Sequence, residues 1–306
     1  MKKRKILVAT ASFGLAEKSF LNDLNESYEV IVNSTGRKLQ QEELSELIAD
    51  VEGVIAGTEI YSSGVLSNAK NLKVISRVGV GLDNVDLNFC SQHDIKVITT
   101  STDLSYAVAE LVISLFLSFY RNIPRHYKDM QNKHWERKMG ETINGKTIGV
   151  IGLGRIGKRL VELTSGFGLK VLACDPYEDK NFAEKYSVTY CKMSELLTHS
   201  DIISIHASSE ESNNPIISKD ELNLMKSTAL LINTSRGSNI DEDELLVALK
   251  NNVIGGACLD VFNQEPYEGD FAKLENVILT PHIGGYTSNV RRGLEMESVI
   301  NLGKFL

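Results

Sequence analysis

Cysteine is scarce: four residues in 306 are too few for a disulfide scaffold, and Cys90, Cys174, Cys191 and Cys258 stand too far apart for a CxxC redox or zinc motif. They read as core thiols of a protein kept in a reducing cytoplasm, and no metal site is expected. Long apolar runs are absent as well. The most apolar stretch, Leu111 to Tyr120, is ten residues long and carries Ser114 and Ser118, against the roughly 20 needed to span a bilayer. A buried helix, not a membrane segment, is expected there. The basic opening Met1 to Lys5 is followed only by the apolar Ile6 to Ala9, where a secretory signal needs about 7 to 15 such residues. No export is expected. An excess of positive charge is lacking too: the formal net charge is −7, which leaves no broad cationic face for counterion release and disfavours nucleic acid as a partner.

What is present is ordinary for a folded soluble chain: 42% hydrophobic and 24% charged residues, with 23 Gly and 5 Pro. The length exceeds what one core usually serves and favours two domains. In the first hundred residues, apolar runs at Lys5 to Thr10, Tyr28 to Val32, Val54 to Ala56, Val74 to Ile75 and Lys96 to Thr99 read as strands. Segments between them, such as Glu42 to Val51, carry apolar residues at helical spacing. That alternation predicts a parallel sheet. A helix is expected from about Asp103 to Asn122, capped by Asp103 or Ser105 and stopped by Pro124. Its apolar positions run nearly all the way round, so it needs cover on every side. After the polar stretch Arg125 to Gly145, a second series begins at Thr147 to Ile151 and continues at Lys170 to Ala173, Ile202 to His206, Ala229 to Asn233, Gly255 to Asp260 and Val277 to Leu279. Six strands with helices between them suit a dinucleotide fold.

The segment Gly149 to Gly157 places Gly152-Leu153-Gly154-Arg155-Ile156-Gly157 directly after an apolar strand and before a helical pattern. GxGxxG alone is a weak signal, but this context is the confirming one. Gly152 permits the tight turn, Gly154 lets the backbone approach a pyrophosphate, and Gly157 allows helix and strand to pack closely. The helix N-terminus then offers free N–H groups to the phosphates. Asp175 follows at the end of the second strand, eighteen residues beyond Gly157, where a carboxylate accepts both ribose hydroxyls. It would repel a 2′-phosphate, so NAD is the expected cofactor rather than NADP.

Three polar residues lie just past later strands: Arg236 in NTSRG, Glu265 in LDVFNQEP and His282 in LTPHIGG. Open α/β sheets bind ligands at strand carboxyl ends. A histidine exchanges protons near working pH, a neighbouring carboxylate holds the imidazole and favours its charged form, and an arginine fork suits a carboxylate substrate.

The chain resembles the D-isomer-specific 2-hydroxyacid dehydrogenases along nearly its whole length. The resemblance is carried by RVGVGLDNVDL at 77–87, AVAELV at 107–112, NGKTIGVIGLGRIG at 144–157, NTSRG at 233–237, GACLDVF at 256–262, Glu265-Pro266 and TPHIGG at 280–285. It implies two Rossmann-like, doubly wound parallel-sheet domains: a discontinuous substrate domain of residues 1–101 plus 285–306, and an NAD domain of 102–284. It implies that Arg236 orients and polarises the substrate, that His282 donates the proton in reduction and accepts it in oxidation, and that Glu265 pairs with His282. Glu265 also argues against the formate dehydrogenase branch, which carries an amide there. The amides of Val78 and Gly79 would hold the substrate carboxylate. Arg155 and Ile156 would contact pyrophosphate, Asp175 the ribose, and Thr234 and Asp260 would lie along the cofactor toward the nicotinamide. A homodimer through the 103–122 helix and the following arm with Trp135 is implied, and no serine-feedback domain is expected after Leu306.

Two departures stand out. Where the family usually has a proline near the adenine, this chain reads Ala207-Ser208-Ser209-Glu210-Glu211, and its usual NTPG turn is Thr99-Thr100-Ser101-Thr102. The expected substrate is a small 2-oxo acid such as hydroxypyruvate or glyoxylate, because Ala56 stands where many phosphoglycerate dehydrogenases carry arginine and Glu59 would repel a dianion. Arg77, at a basic position of those enzymes, keeps D-3-phosphoglycerate dehydrogenase as the alternative. From another class, an NAD(H)-sensing corepressor-like binding protein remains open, since such relatives keep the triad.

Overall fold

The structure, a computed structural model, describes residues 3–207 and 214–306. The chain divides into two units, Met1–Asp103 with Thr287–Leu306, and Leu104–Tyr286. In the first unit, strands and helices alternate as β1 (Lys5–Val8), α1 (Ser19–Ser27), β2 (Glu29–Val32), α2 (Gln41–Ile48), β3 (Gly53–Ala56), α3 (Ser63–Leu66), β4 (Val74–Arg77), α4 (Leu87–Gln92) and β5 (Lys96–Ile98). In the second follow α5 (Ser105–Tyr120), α6 (Ile123–Gln131), β6 (Thr147–Ile151), α7 (Arg155–Thr164), β7 (Lys170–Cys174), α8 (Lys180–Tyr186), β8 (Val188–Tyr190), α9 (Met193–His199), β9 (Ile202–Ile205), α10 (Lys219–Leu224), β10 (Leu230–Asn233), α11 (Glu242–Lys250), β11 (Gly256–Leu259) and β12 (Val277–Leu279). The chain then returns to the first unit as α12 (Ser288–Gly303).

The first sheet has the order β2-β1-β3-β4-β5, all parallel. Its central strands β3 and β4 are buried on both faces, as parallel sheets with helical cover require. α12 is fixed to it by polar contacts. The buried Ser76 hydroxyl donates to the Ser298 carbonyl at 2.8 Å. Glu297 accepts from the amide and hydroxyl of Ser101 at 2.8 and 2.7 Å, and from those of Thr102 at 3.1 Å each. Desolvation alone would raise the Glu297 carboxyl, yet these donors together hold it below its usual range. The unusual Thr99 to Thr102 turn is thus tied down by the returning helix.

The second sheet has the order β12-β11-β10-β9-β6-β7-β8, again parallel. It has seven strands where the sequence predicts six. The extra one, β8, is three residues long, lies at the edge and buries only Val188, too little apolar pattern to register. Side chains alternate between two cores. Leu230 and Ile232 of β10 pack with α5 and α7, while Leu231 packs with α10 and α11. Each such residue contributes roughly 1.5–3 kcal/mol by burial.

The long helix differs from expectation at both ends. It starts at Ser105 with Leu104 in the N-cap position and ends at Tyr120. Pro124 does not stop it but opens α6, where a missing N–H is harmless in the first turn. The first third of the expected polar arm is therefore helical. No single helix among the described residues is long and apolar enough to cross a membrane.

Candidate active site

Strand order reverses between β6 and β9, and ligands of doubly wound sheets sit at such a point. Gly152 closes β6 with φ +89°, and a Cβ there would lie 2.6 Å from the Ala207 amide nitrogen and 2.8 Å from the His206 carbonyl carbon. Only glycine fits. Beyond it, α7 begins at Arg155 with Gly154 as N-cap and no capping side chain, and a Cβ on Gly154 would meet nothing within 4 Å. The first-turn amides of Arg155 and Ile156 have no intrahelical partners, and the space beside Gly154 is open to a ligand. Asp175 is fixed beside this loop: its Oδ2 accepts from the Leu153 amide at 2.6 Å and its Oδ1 from the Tyr177 amide at 2.8 Å. Each oxygen keeps a further lone pair for a hydroxyl donor. The Thr234 hydroxyl, at the end of β10, is buried and has no hydrogen-bond partner. Anion donors, a hydroxyl acceptor and an orphaned hydroxyl together fit a dinucleotide.

β10, β11 and β12 are neighbours, and each is followed within a few residues by one of the three candidate catalytic groups. Asn233, buried at the end of β10, shapes the loop that carries Arg236. Its Oδ1 accepts from the amide and hydroxyl of Ser235 at 3.0 and 2.7 Å, and its Nδ2 donates to the Arg236 carbonyl at 2.7 Å. Gly237 lets this loop touch the chain after β11, since a Cβ would lie 2.1 Å from the Phe262 carbonyl carbon. There Glu265 turns back, its Oε1 accepting from the Phe262 amide at 3.1 Å.

His282 faces Glu265: Nδ1 lies 2.9 Å from Oε2 and 3.1 Å from Oε1. An ionised carboxylate only accepts, so Nδ1 carries hydrogen and Nε2 is the exchanging nitrogen. The hydrogen bond to Glu265 raises the His282 pKa above the usual 6.5, against desolvation and the nearby Arg236 cation, which lower it. Arg236 therefore stands within electrostatic reach of the ring. His282 has φ +54°, a conformation uncommon outside glycine and of order 1–3 kcal/mol in strain. Asp260 maintains it. Its main-chain carbonyl accepts the His282 amide at 2.8 Å. Its carboxylate accepts the Thr280 hydroxyl at 2.6 Å and the amides of Ile283 and Gly284 at 2.8 Å each.

Asp260 was expected along the cofactor, and in the structure its carboxylate brackets the histidine turn. Asn233 and Gly237 were missed as positioning residues, although a polar side chain closing the apolar run Leu230–Asn233 was the available signal. Of six histidines, His206 also ends a strand, but desolvation pushes it down to about 4 and its Nε2 meets the Ser204 hydroxyl at 2.9 Å. It is neutral near pH 7 and holds no proton to give. The residues Ser208 to Glu211, expected near the adenine, lie outside the described residues.

In the first unit the expected substrate contacts look different. The Val78 amide already donates to the Ala56 carbonyl at 2.9 Å, continuing the β3–β4 ladder, so it is not a spare anion donor. Gly79 follows at φ +155°. Arg77 is 7% exposed and donates to the carbonyls of Gly81 at 3.1 Å and Ala56 at 3.4 Å. It braces the turn that carries Gly79. Glu59 is 2% exposed and folds back onto the Gly57 amide at 2.8 Å.

Residues 113–284 match the family model of the D-isomer specific 2-hydroxyacid dehydrogenase NAD binding domain. A D-3-phosphoglycerate dehydrogenase of Methanocaldococcus jannaschii is 40% identical over 260 residues, covering 83% of this chain and 49% of that protein. The chain thus spans about half the length of that relative. A hydroxypyruvate reductase of Thermotoga maritima is 34% identical, covering 89% of this chain and 90% of the relative. Among solved structures, the apo D-lactate dehydrogenase of Escherichia coli is 29% identical with a TM-score of 0.84, covering 98% of this chain and 96% of its own. Motifs, sheet order and these likenesses agree, and the chain belongs to the D-isomer specific 2-hydroxyacid dehydrogenase family, with its NAD-binding domain in the second unit.

Proposed function

We propose that the protein is an NAD-dependent oxidoreductase that interconverts a small 2-oxo acid, of the hydroxypyruvate or glyoxylate type, with its D-2-hydroxy acid. The observation that carries this reading is the His282–Glu265 pair, with Arg236 in reach, on three neighbouring strand ends of an NAD-binding sheet. The nicotinamide, when bound, supplies or takes up the hydride. In reduction, His282 Nε2 gives a proton to the substrate oxygen while Glu265 stabilises the imidazolium through Nδ1. Arg236 presents a fixed cation and planar fork to the carboxylate and carbonyl. In oxidation, neutral His282 takes the hydroxyl proton. The amide of Gly79 is the first unit's remaining candidate anion donor. A cytoplasmic homodimer belongs to the same reading; the exposed apolar side chains of Ile123, Tyr127, Met130, Trp135 and Met139 on α6 and the arm after it support the dimer. Replacing Tyr127 and Met130 together by Asp should shift the mass in light scattering from dimer to monomer, and a wild type that is already monomeric would contradict it.

The pH dependence has a definite sign. A histidine with a raised folded pKa adds stability below its ordinary value, and that stability disappears as pH rises through the raised one. The protonated donor follows the same course, so the reduction rate should fall as pH climbs through a pKa above 6.5. Glu265→Gln should move this limb to lower pH. His282→Ala should lower kcat by about a hundredfold or more, the usual scale of general acid catalysis, with NADH affinity near wild type. An unmoved limb in Glu265→Gln, or parallel loss of NADH binding in His282→Ala, would remove these roles.

Asp175 accepts ribose hydroxyls and repels a 2′-phosphate, so kcat/KM should favour NADH over NADPH. The gap should narrow in Asp175→Ala, and equal use of both cofactors by wild type would contradict the assignment.

Substrate choice is read from kcat/KM for hydroxypyruvate against phosphohydroxypyruvate with NADH. The buried Arg77 and Glu59 favour the unphosphorylated acid. A charge-assisted contact to phosphate is worth roughly 1.5–3 kcal/mol, about ten- to a hundredfold. A hundredfold preference for the phosphorylated acid, lost in Arg77→Ala, would instead make this chain act like its phosphoglycerate dehydrogenase relatives.

A further inference from the structure

Two of the four cysteines are less buried than the core thiols that the sequence suggests. Cys90 and Cys258 are 1% and 0% exposed, whereas Cys174 and Cys191 are only partly buried. Cys174 is the last residue of β7 and Cys191 follows β8, which runs parallel beside it. Their register pairs Val171 with Val188, Leu172 with Thr189 and Ala173 with Tyr190. The next rung is Cys174 opposite Cys191, and the Cys191 amide donates to the Ala173 carbonyl at 2.9 Å to hold it there.

The two side chains share a face. Val171 and Ala173, like Val188 and Tyr190, pack on the core under α5 and α7, while Cys174 and Cys191 both pack on the opposite core with Leu172 and Met193. Adjacent strands lie about 4.7–4.9 Å apart, inside the roughly 4.4–6.8 Å between Cα atoms that a disulfide accepts. Both residues sit at the last rung, where no further ladder bond between the two strands opposes a small closing movement. Cys174 also directly precedes Asp175, whose carboxylate is positioned by Leu153 and Tyr177.

We propose that Cys174 and Cys191 form a reversible disulfide beside the ribose-binding carboxylate and that closing it weakens NADH binding. This rests on the assignment of Asp175 to the cofactor. The oxidant is hydrogen peroxide. One sulfur attacks the peroxide, an S–O bond forms as O–O breaks, and water leaves once protons are transferred. The second sulfur attacks the resulting sulfenic acid, S–S forms as S–O breaks, and a second water leaves. Two thiols lose two electrons, which the peroxide gains, and a dithiol reductant reverses the change. Burial first, and then the carboxylates of Asp175 and Glu195, push the two thiols up, which lowers the thiolate fraction and makes the attack on peroxide slow. Drawing the sulfurs together pulls the end of β7 toward β8 and shifts Asp175 from the hydroxyl-accepting position.

The test treats the whole protein with one equivalent of hydrogen peroxide and maps its peptides by mass spectrometry. The expected product has lost two hydrogens, links Cys174 to Cys191, leaves Cys90 and Cys258 as thiols and reverts with dithiothreitol. NADH affinity, followed by nicotinamide fluorescence, should fall about tenfold in the linked form, and saturating NADH should disfavour the link by the same factor in a thiol–disulfide redox buffer, as linkage demands. Cys191→Ser should bind NADH as the reduced wild type does and keep that affinity after peroxide. Should that variant not fold, the NADH effect on the wild-type redox equilibrium decides alone. Sulfenic or higher acids without the link would overturn the pairing. A link that leaves NADH affinity unchanged would overturn the coupling. Reduced protein that does not bind NADH at all would refute the cofactor assignment and with it the coupling, while the mass map still reports the pairing.

Discussion

The buried carboxylate of Asp260 is the constraint on which the site depends. It has no exposed surface, and desolvation raises its pKa despite the donors that favour its charge. Leaving such a group unpaired would cost several kcal/mol. The chain avoids that by folding residues 280–284 around it, so that one hydroxyl and two amides converge on the two oxygens. This turn forces His282 into the left-handed region and aims its ring at Glu265. The strain of that conformation is held by neighbours that serve no direct chemical step. Catalytic geometry here is a by-product of satisfying a buried charge.

The same logic organises the neighbouring strand end. Asn233 is buried at the last rung of β10, and its amide is satisfied only if the chain curls back at Ser235 and Arg236. Gly237 then admits the close passage against Phe262. Arg236 and Glu265 come from different loops, yet both positions follow from main-chain hydrogen bonds at strand ends. Those bonds are short-range and local to the second unit, so the site is pre-formed without help from the ligand.

How much of this was legible in the sequence follows from the period of each signal. Strands buried on both faces read as unbroken apolar runs, and eleven of the twelve observed strands lie within or beside predicted ones. β8 escaped because Val188 alone carries its burial. The ends of α5 were misplaced because Pro124 has two meanings, stop or first turn, and only the bend after Tyr120 selects one. Site residues were legible as types at strand ends, but their partners were not. Nothing local says that the Val78 amide stays in the ladder, that Arg77 braces Gly81, or that Glu59 folds back on Gly57. Nor does Cys174 announce Cys191 across seventeen positions of chain, because strand register is a tertiary fact.

Glu265, through the turn built on Asp260, holds a protonated Nδ1 and raises the basicity of His282. Nitrogen-detected NMR of the imidazole across a pH titration reports both properties at once. The expected result is hydrogen on Nδ1 in the neutral form and a pKa above 6.5 in the free enzyme. Hydrogen on Nε2 in the neutral form, or a pKa at or below 6.5, would contradict it.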